Sequence, residues 1–128
     1  MRILLDTHVL LRSIRDPGRL SRGDAQMIAD KQNIVMFSVA SIWEIGIKSA
    51  LGRPDFDVDP STILSTACLD FHERSITSAD ALAAAALPRY HRDPFDRMLV
   101  AQAIGADAVL LTADQLLLSY GRHVRLTE

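Results

Sequence analysis

Four acidic residues, Asp6, Glu44, Asp96 and Asp114, stand where a fold of alternating strands and helices would gather them. Asp6 directly follows the apolar run Arg2–Leu5, and Asp114 lies two residues beyond the run Ala108–Thr112. Glu44 falls in the first two turns of a helix that leaves a second apolar run, and Asp96 in the first turn of a helix opened by Asp93-Pro94. Carboxylates held a few ångströms apart repel and raise one another's pKa unless a cation sits between them. A hard divalent ion such as Mg²⁺ or Mn²⁺ meets that need, taking oxygen ligands and keeping several waters. Its waters can supply a nucleophile while its charge steadies a phosphate under in-line displacement, which is the chemistry of phosphodiester hydrolysis. No cluster of His and Cys with zinc-site spacing competes with this reading.

Each acid also has an ordinary structural use. Asp93 reads as a helix cap, and Asp96, three residues on, stands where a capping-box acid would. Glu44 has Lys48 four residues ahead, the spacing of a surface ion pair, although Ile42, Trp43, Ile45 and Ile47 leave it only a narrow exposed face. Asp114 suits a turn. Asp6 is the costly one, because a carboxylate that ends a buried strand needs a partner.

The elements that would position these acids follow from periodicity and punctuation. Arg2–Leu5 reads as a strand buried on both faces, and a helix over Thr7–Ile14 stops at Asp16-Pro17-Gly18. A second helix covers Ser21–Asp30, and Asn33–Ser38 is the second strand. Ser38 or Ser41 caps a helix running to Leu51, with Gly52 at its end. Asp59-Pro60 opens another helix, "FHERSIT" is a weak strand, and Thr77 or Ser78 starts an alanine-rich helix ended by Pro88. The helix from Pro94 ends at Gly105, Ala108–Thr112 is a strong strand, and a short helix over Gln115–Ser119 precedes a last strand near "HVRLT". Such alternation predicts one α/β domain over residues 1–128, a parallel sheet of about four to five strands with helices on both faces. In such folds ligands bind outside the carboxyl ends of the strands, where all four acids fall.

With 128 residues, 48% of them hydrophobic, the chain holds one sizeable core and is not disordered. The single cysteine, Cys68, makes no internal disulfide, fits a reducing cytoplasm and reads as a buried small apolar residue. Asp6 interrupts the start before an export signal develops, and the apolar runs fall short of the ~20 residues that span a bilayer, so a cytoplasmic protein is expected. The net charge of −2 argues against wholesale nucleic-acid binding, but two stretches are locally basic: Arg12, Arg15, Arg19 and Arg22, then Arg89, His91, Arg92 and Arg97.

The segments "LLDTHVLL", "SVASIWEIGIK", "HRDPFDRMLVAQA" and "LLTADQ" resemble, in order and across essentially the whole chain, the four acidic motifs of PIN-domain proteins. The form "HRDPFDR" is similar to one subgroup, the VapC-like toxins of bacterial toxin–antitoxin pairs. The resemblance implies a ribonuclease whose acidic metal site is Asp6, Glu44, Asp96 and Asp114, loaded with Mg²⁺ or Mn²⁺. Asp96 rather than Asp93 takes the third place because it precedes the apolar helix "RMLVAQA". It further implies a homodimer and a VapB-like antitoxin partner. Thr112 matches the family's hydroxyl before the fourth acid, Thr7 the small hydroxyl after the first, and His8 and Arg97 are candidates for phosphate contact. Two rival functions remain at this level. A Mg²⁺-dependent phosphatase with an aspartyl nucleophile also opens on a motif like "LLDTH", but wants a second Asp where this chain has His8. The other is a binding module that kept the fold and lost turnover, a reading that the presence of all four acids disfavours.

Overall fold

The computed structural model describes residues 1–128. Five strands, β1 (Arg2–Leu5), β2 (Ile34–Ser38), β3 (His72–Arg74), β4 (Val109–Thr112) and β5 (Val124–Leu126), form one sheet in the order β3-β2-β1-β4-β5. Every neighbouring pair is parallel. Six helices connect them: α1 (Thr7–Arg15), α2 (Arg22–Ala29), α3 (Val39–Ala50), α4 (Pro60–Asp70), α5 (Ser78–Ala86) and α6 (Pro94–Gly105). Short 3₁₀ turns occupy Pro17–Arg19, Pro54–Phe56 and Gln115–Tyr120. Strand count, direction and order of elements match the sequence expectation, and no helix is long and apolar enough to cross a membrane.

Because side chains alternate along a strand, the central strands feed two separate cores. Ile3 and Leu5 of β1 and Val35 and Phe37 of β2 pack beneath α1, α3 and α4 through Val9, Leu10, Ile45, Ile63 and Ala67. Leu4, Met36 and Leu110 face the other way and meet Leu99, Val100 and Ala103 of α6. The near-continuous apolar strands are thus explained by burial on both sides. Each helix begins at a side-chain cap: Asp6, Ser21, Ser38, Asp59, Thr77 and Asp93 accept backbone N–H groups of the first turn. Ser38, not Ser41, is the cap of α3.

Two expectations need correction. Cys68 is exposed. On α4 the core-facing positions are Ile63 and Ala67, four apart, and one further residue turns Cys68 about 100° away from that stripe. The exposed face of α3 is also wider and more apolar than expected, with Trp43 62% and Ile47 37% accessible. Glu44, between them in sequence, is buried.

A buried polar network locks the far side of the sheet's carboxyl edge. Gln102, on α6, is fully buried; its Oε1 accepts from the Ser38 hydroxyl at 2.5 Å and its Nε2 donates to the Ser75 carbonyl (3.1 Å) and to Asp80 Oδ2 (3.2 Å). Thr77 and Asp80 close a capping box at the start of α5. Burial alone would raise the Asp80 pKa, but bonds from the Thr77 backbone, Gln102 and the Thr77 hydroxyl, with the charge of Arg74, hold it below the usual carboxylate range. Gln102→Leu would leave the Ser38 hydroxyl, the Ser75 carbonyl and Asp80 each short of a partner. Of these the Ser38 hydroxyl and Asp80 are buried, and at about 1–3 kcal/mol per unsatisfied buried group the total loss expected is about 2–6 kcal/mol. A urea titration should show the midpoint falling at unchanged slope; an unmoved midpoint would mean that the network carries no stability.

Candidate functional site

β1, β2 and β4 end side by side, and the chain leaving each carries an acid into the same place. Asp6 immediately follows β1 and caps α1, with Oδ1 accepting from Val9 N at 2.8 Å. Its Oδ2 accepts from the Thr112 hydroxyl at the end of β4, at 2.5 Å. Thr112 Oγ1 in turn accepts from the backbone N–H of Asp114 at 3.1 Å, so one hydroxyl sets both the first and the fourth acid. Asp6 is 7% exposed; burial drives its pKa up, against the lowering effect of those two hydrogen bonds and His8, with Glu44 adding to the rise.

Glu44 reaches the same cleft from the second turn of α3. Its Oε1 accepts from the Thr7 hydroxyl at 2.6 Å, with the Ser41 hydroxyl 3.0 Å from Thr7, and its Oε2 accepts from Lys48 Nζ at 2.5 Å. The Glu44–Lys48 pair anticipated from spacing is therefore real, but it is not a surface pair. The Lys48 ammonium also lies 5.1 Å from the centre of the Phe56 ring.

Asp93 and Asp96 divide two tasks that residue type alone leaves open. Asp93 Oδ1 accepts from Phe95 N at 2.8 Å and from Asp96 N at 3.4 Å, which makes it the cap of α6. The Asp93 N–H is spent on His91 Nδ1 at 3.1 Å, so no capping box forms and the Asp96 side chain is left to face the cleft. Burial first, then the charges of Asp93, Glu44 and Asp6, push the Asp96 pKa up to about 7 against the pull of His91.

The sequence marks His91 only as part of a basic stretch; its contacts give it a sharper role. Nδ1 accepts a backbone N–H and so carries no proton, which puts the proton of the neutral ring on Nε2. That N–H donates to Asp114 Oδ2 at 2.8 Å and lies 3.5 Å from Asp96 Oδ2. His91, Asp96 and Asp114 thus gather three potential ligand atoms within 4.8 Å of one another. A protonated Nε2 is not a metal ligand, so in this arrangement the imidazole orients the two carboxylates. Asp114 also caps the following 3₁₀ turn through Oδ1, as a turn-forming reading of it anticipates.

All four predicted acids, with Thr7 and His8, line one open cleft of about 390 Å³. Sequence reasoning missed Asp55 and read Arg12 only as part of a basic stretch and Lys48 only as a partner of Glu44, because nothing in their local motifs announces that the Pro54–Phe56 turn and the outer face of α1 close over the sheet edge. In total six carboxylates face two cations, Arg12 and Lys48. A set of oxygen donors in such surplus fits a hard divalent ion and offers no soft ligand for another kind. Arg97 goes elsewhere. Its guanidinium donates to the carbonyls of Ala84 (2.8 Å), Leu87 (3.0 Å) and Pro88 (3.1 Å), closing the end of α5, so it is not free for a phosphate. His8 is exposed and packs edge-on against Phe56 at 5.3 Å, combining helix packing with a place on the cleft.

The raised Asp96 pKa has a sign that can be measured. With the folded value near 7 and the unfolded value near the usual ~3.9, the folded chain holds the extra proton between them. Stability therefore falls as pH rises through that window and levels off above it. In chelator-treated protein, the melting temperature of Asp96→Asn minus that of wild type should widen from about pH 4 to pH 7 and then stay constant. A difference that does not change with pH would show that neither burial nor the neighbouring acids raise the Asp96 pKa.

A family model described as PIN domain matches residues 3–122. No curated protein matches the chain. Among solved structures it is similar to VapBC2 from Rickettsia felis, solved bound to a DNA fragment from its promoter, at 12% identity and TM-score 0.73 with 100% of both chains covered. It is also similar to VapBC-1 from nontypeable Haemophilus influenzae, at 14% identity and TM-score 0.67, covering 100% of this chain and 98% of that one. A domain of a functionally unknown protein from Methanocaldococcus jannaschii aligns at 17% identity and TM-score 0.61, over 99% and 91% of the two chains. At these identities the structural likeness speaks for the fold, and the family model for membership over the range it matches. On that match, running from β1 to the turn before β5, the chain belongs to the PIN domain family.

Proposed function

We propose that this protein is a metal-dependent ribonuclease, an endonuclease hydrolysing RNA phosphodiester bonds in the cytoplasm, and the toxin of a VapBC-type pair. The observation that carries the proposal is the convergence of Asp6, Glu44, Asp96 and Asp114, from four distant segments, on one cleft at the carboxyl edge of the sheet. Their mutual repulsion, felt most at Asp96, is what a bound cation would relieve. The nuclease part rests on family membership, and the toxin part on the sequence resemblance and on the VapBC structures among the fold's neighbours. A VapB-like antitoxin, a second copy of the chain and RNA are accordingly the partners we assign.

Mg²⁺ or Mn²⁺ would be held by Asp6, Glu44, Asp96 and Asp114, supplying an activated water and charge stabilisation for the phosphate. The chain's own groups do the positioning. Thr112 fixes Asp6 and the backbone at Asp114, Thr7 fixes Glu44, and His91 draws Asp114 and Asp96 toward each other. Lys48 offsets the charge of Glu44, and because its ammonium is at the cleft it can also meet a substrate phosphate.

Added Mn²⁺ or Mg²⁺ should raise the melting temperature of the wild type by mass action, with about 2.7 kcal/mol of stabilisation at a hundredfold excess over Kd. Asp6→Asn should abolish that rise and the cleavage of RNA together; a full rise in the variant would remove Asp6 from the site. The cap and the ligand should separate as well. Asp93→Ala should cost about 1 kcal/mol of stability and keep most cleavage, whereas Asp96→Ala should lose cleavage and fold normally. Expressed alone, the wild type should arrest growth, and Asp6→Ala should not. Turnover of a generic phosphate monoester with RNA left whole would favour a phosphatase instead, and metal binding without either activity a module that has lost turnover.

A further inference from the structure

Beside the acidic cleft lies a second groove of about 440 Å³, lined by His8, Arg12, Arg15 and Arg19 and by two acids, Asp16 and Asp55. The two depressions run together, since His8, Arg12 and Asp55 line both. Spacings of four and three residues put His8, Arg12 and Arg15 on one stripe of α1, and Arg19, in the 3₁₀ turn past the non-helical Asp16, lines the same groove. Over α1 alone the stripe from His8 to Arg15 is about 10 Å long.

These cations are available. Arg12 and Arg15 take no part in any ion pair or side-chain hydrogen bond of the protein, and Arg19 meets only Asp16, through Nε, at 3.9 Å. Arg15 and Arg19 are exposed, as is His8, whose ring stands edge-on to Phe56. In a chain of net charge −2 whose cleft carries six carboxylates, a row of cations joined to that cleft supplies the local attraction a polyanion needs. Free guanidinium forks in line with the cleft match phosphate oxygens in geometry as well as charge.

We propose that this groove is a track for the phosphodiester backbone of a single-stranded RNA, which leaves the acidic cleft along α1 with its phosphates against Arg12, Arg15 and Arg19. The exposed His8 ring, at the junction, offers a face for a base. The proposal deepens the ribonuclease reading and rests on it for the identity of the strand.

The test measures binding of a fluorescent single-stranded oligouridylate by anisotropy over a range of salt, in the Asp6→Asn background so that the probe survives. Arg15→Ala with Arg19→Ala should weaken binding about tenfold at low salt. The slope of log Kd against log salt should fall by about 1.4, at about 0.7 for each single-strand phosphate that is no longer neutralised. Arg15→Lys with Arg19→Lys should keep the slope, because the charges remain. Both positions are exposed, so melting temperatures should be unchanged, and that measurement guards against misfolding. An unchanged slope and affinity in the alanine pair would overturn the track. So would normal RNA binding combined with failure to capture a co-expressed antitoxin, which would make the face a protein-docking surface. If the alanine pair lowers the slope but the wild type never cuts RNA with Mn²⁺ or Mg²⁺, the track stands and the ribonuclease reading falls.

Discussion

A carboxylate buried at the end of the central strand is the constraint on which this molecule turns. Asp6 lies between β2 and β4, the two neighbours of β1, at an edge where water is largely excluded, and such a group is tolerated only with its oxygens occupied. Val9 N–H takes one oxygen and Thr112 the other, while the Asp6 backbone N–H donates to the Leu111 carbonyl. Strand β1, helix α1 and strand β4 are thereby joined through one residue. The register of β4 against β1 fixes where Thr112 stands, and the same hydroxyl then fixes the start of the turn that carries Asp114. A change at Asp6 is felt both in the packing of the sheet's edge and in the charge of the cleft.

The opposite side of the cleft is held by groups with no part in its chemistry. Gln102 ties α6 to the end of β2 and the start of α5, and Arg97 ties α6 to the end of α5. Between those anchors the segment that includes His91 is drawn over the first turn of α6, where Arg97 also reaches the His91 carbonyl and Tyr120 bonds the Pro88 carbonyl. That anchoring lets His91 meet Asp114 and Asp96 together. The cleft therefore has a rigid wall built from sheet and α1, and a second wall whose position depends on side-chain clamps of α6.

Stability and function oppose each other here. Lys48 neutralises one acid, and His91 donates to another, whereas burial and the charges of Asp93, Glu44 and Asp6 raise the proton affinity of Asp96. The capping residues and the two apolar cores hold the acids together despite their repulsion. Perturbed carboxylates of this kind cluster at functional sites.

Much of this is legible in the sequence, since it depends on local rules. The strand runs, the cap-and-proline signals at Asp59-Pro60 and Asp93-Pro94 and the doubly buried character of β1 and β4 dictate the order of elements and the parallel sheet. The edge rule for such sheets then brings Asp6, Glu44, Asp96 and Asp114 toward one place, where the structure has them. Local rules fail where a residue's surroundings come from distant segments. Cys68 and Trp43 are misread because residue type says nothing of which way a helix is rotated against its sheet. Arg97 reads as a phosphate contact by charge, but the carbonyls left open at the end of α5 claim it. Asp93 caps α6, and because His91 captures the Asp93 N–H that a capping box would use, Asp96 is left to the cleft. The alignment of Arg12 with Arg15 is visible in their spacing, yet the place of Arg19 beside them and the junction with the cleft at His8, Arg12 and Asp55 belong to the tertiary fold. Sequence alone determined which residues could carry charge to the sheet's edge; tertiary structure decided which of them are free to act, because hydrogen-bond partners and water exclusion belong to the assembled neighbourhood.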